Sequence, residues 1–542
     1  MQDLIDHSAS LDNEHTLGFW LRDRARIDGS KIAVDDRGVT TDYLTLSKRV
    51  DALAEKFRSA GFVKGERIVT ITGNSVDHIV TFFACAQVGL VLCPLSWRLT
   101  TQEVSDLIER TRPSLVVFED EYSTLALEAL RNSSSTAQAT QIGPEGIESD
   151  LPLQSKSGIS NTNVQVGVKD SDSLLLIFTS GSEAKPKGVL LSHSNCFWNN
   201  LSLAAASGLS PEDTALCALP QFHVGGWNIY PLLALWVGAT LVLERTFQPK
   251  RIIELISKHK VSVMMGVPTQ YQLLSQDDNF KEADFSTLRM AQVGGASIPA
   301  ELLQVWQEKG VNLSPGYGLT EASPNVLYTP QGSKGLQPYP HVRVRLRPLN
   351  EETVSLENSK ATFVSYGELQ VSGPGVFSGY FEDEIATENS FTDDGWLKTG
   401  DIAELDTHGS MYIVGRIKEI YISGGENVAP AEIEHALNTH PAISETVVVG
   451  MPDRLWGEVG CAFVEIDNRR KKQFFAEMNK TDIEKELLTY TKSRLAPFKV
   501  PKKIIVLNVI PRIGIEKVDR VQLKAIAMKF WNSALNRGGE TT

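Results

Sequence analysis

Between Thr179 and Gly188 the chain reads TSGSEAKPKG, directly after the apolar run SLLLIF and before VLLSH. Small and hydroxyl-bearing residues let backbone N–H and side-chain O–H groups approach phosphate oxygens, and Lys185 and Lys187 supply positive charge. The segment therefore reads as a phosphate loop. It is not a Walker A loop, because G-x-x-x-x-G-K-[ST] occurs nowhere in the chain. A polar Gly/Ser turn between two elements is the competing reading of this segment taken alone.

Four more segments follow in order: GYGLTEAS (Gly316 to Ser323), GWLKTGDIAELD (Gly395 to Asp406), GRIKEIYISGGENVAPAEIE (Gly415 to Glu434) and PRIGIEKVDR (Pro511 to Arg520). With TSGSEAKPKG they resemble the adenylate-forming superfamily of acyl-CoA synthetases, peptide-synthetase adenylation domains and luciferases, over nearly the whole chain. The resemblance implies an α/β fold: a large N-terminal domain of several subdomains with mainly parallel sheets, over 1–416, and a small mobile C-terminal α+β domain over 417–542. The implied hinge is Lys418, which taken alone reads equally as a solvated charge.

The same resemblance implies site roles. Thr179, Ser180, Gly181, Ser182 and Lys187 would wrap a triphosphate, although Glu183 and Ala184 stand where Thr and Gly are more frequent. Gly294, Gly295, Ala296 and Ser297 match the adenine-edge segment. Tyr317, flanked by Gly316 and Gly318, would stack on adenine, Thr320 would bind the α-phosphate, and Glu321 offers a hard carboxylate oxygen to Mg²⁺. Asp401 would accept from the ribose hydroxyls with Arg416 assisting, although an Asp after Gly is more often a turn residue. Lys517 would bridge the substrate carboxylate and the α-phosphate and relieve their repulsion, with Glu516 standing where Gly is usual. Catalysis thus falls to Lys517, Glu321 and Thr179, and after a domain rotation Gly424 and Gly425 would border a coenzyme A tunnel.

The segment LPQFHVGGWNIYPLL carries His223 and Trp227. In the family that His lies beside the acyl pocket, and in bacterial long-chain synthetases a Trp at the corresponding offset gates a fatty-acid tunnel. The expected activity is an acid–CoA ligase acting through an acyl-AMP on a medium- or long-chain fatty acid, with ATP, Mg²⁺ and coenzyme A. Packing roles for both residues, an aromatic or cyclic acid, a separate carrier protein as acceptor and a non-catalytic nucleotide-binding relative stand as alternatives. An attached carrier is not expected, since only Val521 to Thr542 follow the last motif.

The elements that position these residues follow from periodicity. RIVTITG precedes the helical VDHIVTFFACAQVG, and SLVVFED precedes LALEALR, an alternation that predicts βαβ units and a covered parallel sheet. The stretch from Asn132 to Gln165, rich in Ser, Thr, Asn and Gly, reads as a surface connection. Near the C-terminus, Thr481 and Glu484 have the spacing of a capping box opening a helix IEKELLTYTKSRL that Pro497 stops.

At 542 residues the chain exceeds one compact core. Its 42% apolar and 22% charged residues are ordinary for a globular protein, and a net charge of −13 argues against phosphate-neutralising contact with nucleic acid. Cys85, Cys93, Cys196, Cys217 and Cys461 show no CxxC spacing and read as reduced core residues. The acidic start MQDLIDHSASLDNEH does not resemble a signal peptide, and YPLLALWVGATLVL is too short for a transmembrane segment, so a cytoplasmic protein is expected. The run RRKK, Arg469 to Lys472, reads as a solvated charge run rather than a coenzyme A contact. The expected partners are the small-molecule acid, ATP and CoA, with a homodimer left open.

Overall fold

The computed structural model describes residues 15–144, 146–147, 151, 167–179, 186–295, 298–333, 335–349, 363–423, 426–513 and 517–537. The chain divides into two compact units. One holds residues up to Ile298 with Leu302–Arg343 and Val371–Leu397, and the other holds Pro299–Glu301, Val344–Gln370 and everything from Lys398 onward.

The predicted alternation forms the first unit. The strand Arg67–Ile71 leads into the helix Val76–Val88, and pairs in parallel with Val91–Pro94 on one side and Leu115–Phe118 on the other. Val91–Pro94 pairs in parallel with Ser173–Thr179, which brings the phosphate-loop strand into an eight-stranded sheet among the described residues. Among the described residues a nine-stranded sheet carries Leu313–Tyr317 beside Met290–Val293, with parallel pairing continuing through to Ile32–Asp36. Ile, Val and Leu fill these strands because helices cover both faces of a parallel sheet. The apolar stretch YPLLALWVGATLVL divides into the helix Pro231–Val237 and the strand Thr240–Leu243, broken at Gly238.

One expectation fails between Asn132 and Gln165. Gln138–Gly143 is a strand paired in parallel with Leu115–Phe118. Only Thr140 and Ile142 turn inward, so the strand carries too few apolar residues to announce itself. The rest of that stretch from 152 on lies outside the described residues.

In the second unit Gly457–Ile466 pairs antiparallel with Ile443–Asp453 and parallel with Lys503–Leu507, and the helices Pro430–Asn438 and Lys480–Lys492 belong to the same unit. The latter helix begins earlier than predicted. Its cap is Asn479, whose side chain accepts from the N–H groups of Thr481 and Asp482, and Glu484 instead pairs with Lys503 at 2.7 Å. Asn is among the strongest caps, so it takes the role from Thr481 two residues on. RRKK lies on the short helix Asn468–Phe474, with Arg469, Lys471 and Lys472 exposed. The fold is thus a large N-terminal α/β domain of several sheets with a smaller C-terminal α+β domain. Among the described residues no helix is long and apolar enough to cross a membrane.

All five cysteines are buried and free of disulfides, and burial pushes the thiols of Cys93, Cys196, Cys217 and Cys461 up to about 12. His78 is buried too, one ring nitrogen 2.9 Å from Thr70 Oγ1, and burial pulls its pKa down to about 3. An unfolded chain protonates this ring near the ordinary value of about 6.5, so between there and about pH 3 the unfolded state binds the extra proton and stability falls as pH falls. At pH 5 the loss is about 2 kcal/mol. Denaturation midpoints measured at pH 7 and pH 5 should therefore differ less for His78→Gln than for the parent, and equal differences would rule this contribution out.

Candidate active site

Thr179 stands opposite Lys187 in the antiparallel hairpin of Ser173–Thr179 and Lys187–Ser192, with Thr179 Oγ1 donating to the Lys187 carbonyl at 3.4 Å. The two ends of the predicted phosphate loop are thereby pinned together. Ser180, Gly181, Ser182, Glu183, Ala184 and Lys185 lie outside the described residues.

The far side of Lys187–Ser192 pairs with the two-residue strand Gly379–Tyr380. That register sets the Lys187 ammonium 5.3 Å from the centre of the Tyr380 ring. Tyr380 Oη in turn donates to Glu321 Oε1 at 2.8 Å. Burial, and then the Glu321 carboxylate, push the phenol upward, so it remains a donor at neutral pH. Lys187 and Glu321, predicted from separate motifs, thus meet across one tyrosine that sequence reasoning did not select.

Tyr317 ends the strand Leu313–Tyr317, its carbonyl accepting from Val326 N at 3.1 Å, and Thr320 and Glu321 form a single helical turn, Thr320–Ala322. Glu321 O accepts from Phe377 N at 2.8 Å. Beneath this turn lies a cluster of buried amides that was also missed. Asn228 Nδ2 donates to Ser323 O at 3.0 Å, Asn199 Nδ2 to Asn228 O at 2.6 Å, and Asn325 Nδ2 to Asn199 Oδ1 at 3.0 Å. Breaking these bonds would leave buried amide donors unpaired, which favours this arrangement of the turn. Gly294 and Gly295 follow the neighbouring strand Met290–Val293, and Gly295 takes φ +86°, a conformation that favours glycine. Ala296 and Ser297 lie outside the described residues.

His223 and Trp227 differ in their settings. His223 is exposed, and desolvation by the surrounding protein atoms, then the Arg98 charge, pulls its pKa down to about 4. It is neutral at neutral pH. Trp227 is 0% exposed, its indole N–H donating to Gln221 O at 2.6 Å and its ring stacked on Phe82 at 4.8 Å. Any swing of the indole would break both.

In the second unit Asp401 and Arg416 face each other on the antiparallel strands Leu397–Asp406 and Met411–Arg416, with Arg416 Nε 2.8 Å from Asp401 Oδ1. The Asp401 carboxylate is only 4% exposed against 60% for Arg416, so the arginine offers its outer face to solvent while holding a buried charge. Glu368 Oε1 accepts from Gly400 N at 3.3 Å and steadies the turn before Asp401. Lys418 lies in the single turn Ile417–Glu419 immediately after the second strand. Arg520 ties Glu419, at 3.2 Å, to Glu434, at 3.0 Å. Lys517 stands opposite Ile513 in the two-stranded ladder of Arg512–Ile513 and Lys517–Val518. Its side chain, Glu516, Gly424 and Gly425 lie outside the described residues.

Among the described residues no group of three or more His, Cys, Asp or Glu could hold a metal. The Glu321 carboxylate with the adjacent Thr320 hydroxyl supplies hard oxygen donors too few for an all-protein cage. That donor set fits Mg²⁺, which keeps waters and shares substrate phosphates with one or two carboxylates.

The chain is similar to known proteins over nearly its whole length. A family model described as AMP-binding enzyme matches residues 21–381, and one described as AMP-binding enzyme C-terminal domain matches 432–517. The chain is 34% identical to a feruloyl-CoA synthase of Amycolatopsis over 520 residues, covering 94% of this chain and 98% of that one. It is 31% identical to the indoleacetate–CoA ligase of Aromatoleum aromaticum, covering 95% and 98% respectively. The crystal structure of ATP-bound MatB from Rhodopseudomonas palustris superposes with a TM-score of 0.81 at 28% identity, covering 95% of this chain and 99% of that one.

Proposed function

The chain belongs to the AMP-binding enzyme family, and from that premise we propose that this enzyme is an AMP-forming acid–CoA ligase whose substrate is a ring-bearing carboxylic acid. The observation that carries the substrate class is the similarity to proteins named feruloyl-CoA synthase and indoleacetate–CoA ligase. The packing of Trp227 speaks against the fatty-acid alternative. A fatty-acid tunnel gated by Trp227 requires that ring to move, and here it is sealed, stacked and hydrogen-bonded. A fixed and fully covered indole is instead a packing residue, which leaves the gate without support. The fatty-acid expectation is therefore the weaker of the two.

In the proposed reaction a carboxylate oxygen attacks the α-phosphorus of ATP, the bridging P–O bond to the β-phosphate breaks, and pyrophosphate leaves. The coenzyme A thiol then attacks the acyl carbonyl, forming the thioester and releasing AMP. Mg²⁺, when bound, neutralises phosphate charge. The loop from Thr179 to Lys187 holds the triphosphate, Thr320 the α-phosphate, Tyr317 the adenine, and Asp401 with Arg416 the ribose. Lys517 supplies the positive charge between the two reacting anions. Rotation about Lys418 would replace the Lys517 segment with the Gly424–Gly425 segment for the second step.

AMP release with coenzyme A present, measured across cinnamic, arylacetic, cyclic and straight-chain acids, tests the reading. Ring-bearing acids should give kcat/KM values at least about tenfold above straight-chain acids, a discrimination within reach of pocket packing. In Trp227→Ala, the order of preference among the acids should be kept, because the indole is buried. A straight-chain preference in the parent, or a shift toward longer chains in the variant, would return the fatty-acid reading.

A further inference from the structure

Glu321 is a poor metal ligand as far as its own motif determines it. It sits in a single helical turn, Thr320–Ala322, that has no side-chain cap, and three rotatable bonds separate its carboxylate from the backbone. Left alone, such a side chain gives up rotamer freedom on being ordered. The ordering comes from elsewhere in the chain.

We propose that Tyr380 is a positioning residue for the nucleotide-bound cation: its hydroxyl holds Glu321 Oε1 at 2.8 Å and so aims the carboxylate before metal and ATP arrive. This rests on the nucleotide reading given above. Tyr380 is well placed for the task because its own position is over-determined. Its backbone pairs with Val189 on the edge of the eight-stranded sheet, its N–H donates to Thr387 Oγ1 at 2.9 Å, and its ring meets the Phe377 ring edge-on at 4.9 Å. Phe377 also donates its backbone N–H to Glu321 O at 2.8 Å. One short segment, Phe377 to Tyr380, therefore grips Glu321 at both main chain and side chain. The Lys187 ammonium above the same ring joins this grip to the end of the phosphate loop. A hydroxyl on a rigid strand aligns the carboxylate at little further entropic cost, which is how a supporting hydrogen bond raises a ligand's effectiveness.

The test uses Mn²⁺ in place of Mg²⁺ and reads free Mn²⁺ by electron paramagnetic resonance in the presence of full-length protein and ATP. Tyr380→Phe keeps the ring and removes only the hydroxyl, and circular dichroism verifies that it folds. Its Mn²⁺ affinity in the ternary complex should fall roughly tenfold, the scale of one hydrogen bond to a charged group, while metal-free AMP binding stays within about twofold of the parent. In a Glu321→Gln background the same substitution should add nothing, because the carboxylate it serves is gone. Unchanged Mn²⁺ affinity in Tyr380→Phe overturns the proposal, as does an undiminished effect in the Glu321→Gln background, which would make Tyr380 a packing residue under Lys187. A parent protein that binds neither ATP nor Mn²⁺·ATP overturns the nucleotide reading itself, an outcome distinct from the other two.

Discussion

Lys517→Ala is expected to lower acid-dependent exchange of pyrophosphate into ATP by about 10²–10³-fold, the scale of losing one preorganised charge contact in a transition state. Binding of ATP should weaken far less. The asymmetry follows from the chemistry. A carboxylate approaching an α-phosphate brings two anions together, and a cation shared between them acts mainly as the new bond forms, so its removal shows in the rate. Lys517 begins a two-residue strand whose partner is Arg512–Ile513, so the lysine is presented by a hairpin and its backbone is fixed on the other strand. Lys517→Arg should recover part of the activity, since the charge remains but is spread over a planar group. Rapid-quench formation of acyl-AMP measures the step directly, and a loss smaller than about fivefold in Lys517→Ala would remove this lysine from the adenylation chemistry.

Gly318→Ala is expected to be nearly as damaging, for a steric reason. A Cβ on Gly318 would lie 1.4 Å from the carbonyl oxygen of Pro324, a covalent rather than a van der Waals distance. The obstruction is backbone, so no side chain can swing aside. The turn carrying Thr320 and Glu321 would have to open, pulling against the Asn228, Asn199 and Asn325 amides that hold Ser323 and its neighbours. A fall of at least about a hundredfold in kcat/KM should accompany a destabilisation of about 1–3 kcal/mol or more. Gly167→Ala, where a Cβ meets nothing within 4 Å, serves as the control. Parent-like activity and thermal midpoint in Gly318→Ala would mean that this turn does not position the site.

The parts of the site legible in the sequence were those that are local in the chain. The hairpin at Thr179 and Lys187, the strand running into Tyr317 and the pair Asp401 and Arg416 each lie within or beside one short motif. What escaped was long-range. Tyr380 reaches Glu321 across 59 positions and Asn228 reaches Ser323 across 95. Nothing in GYF or GGWN distinguishes those residues from ordinary packing until the sheets bring them together. The strand Gln138–Gly143 escaped for a different reason: at the sheet margin two inward side chains suffice, and the period-2 signal fades into a polar background. The early start of the helix Lys480–Lys492 reflects competition between two adequate caps, which propensity ranks correctly only once Asn479 is considered.

The buried thiols have a consequence for watching this protein work. With pKa values near 12, Cys93, Cys196, Cys217 and Cys461 hold on the order of one thiolate in 10⁵ at pH 7, and Cys85 is equally enclosed. Maleimide dyes should therefore pass over the native chain. A single cysteine placed at Leu455, 81% exposed in the C-terminal unit, gives a reporter of that unit in the otherwise unaltered protein. Paired with a second label in the N-terminal unit, it turns the pivot proposed at Lys418 into a distance that fluorescence can follow during turnover.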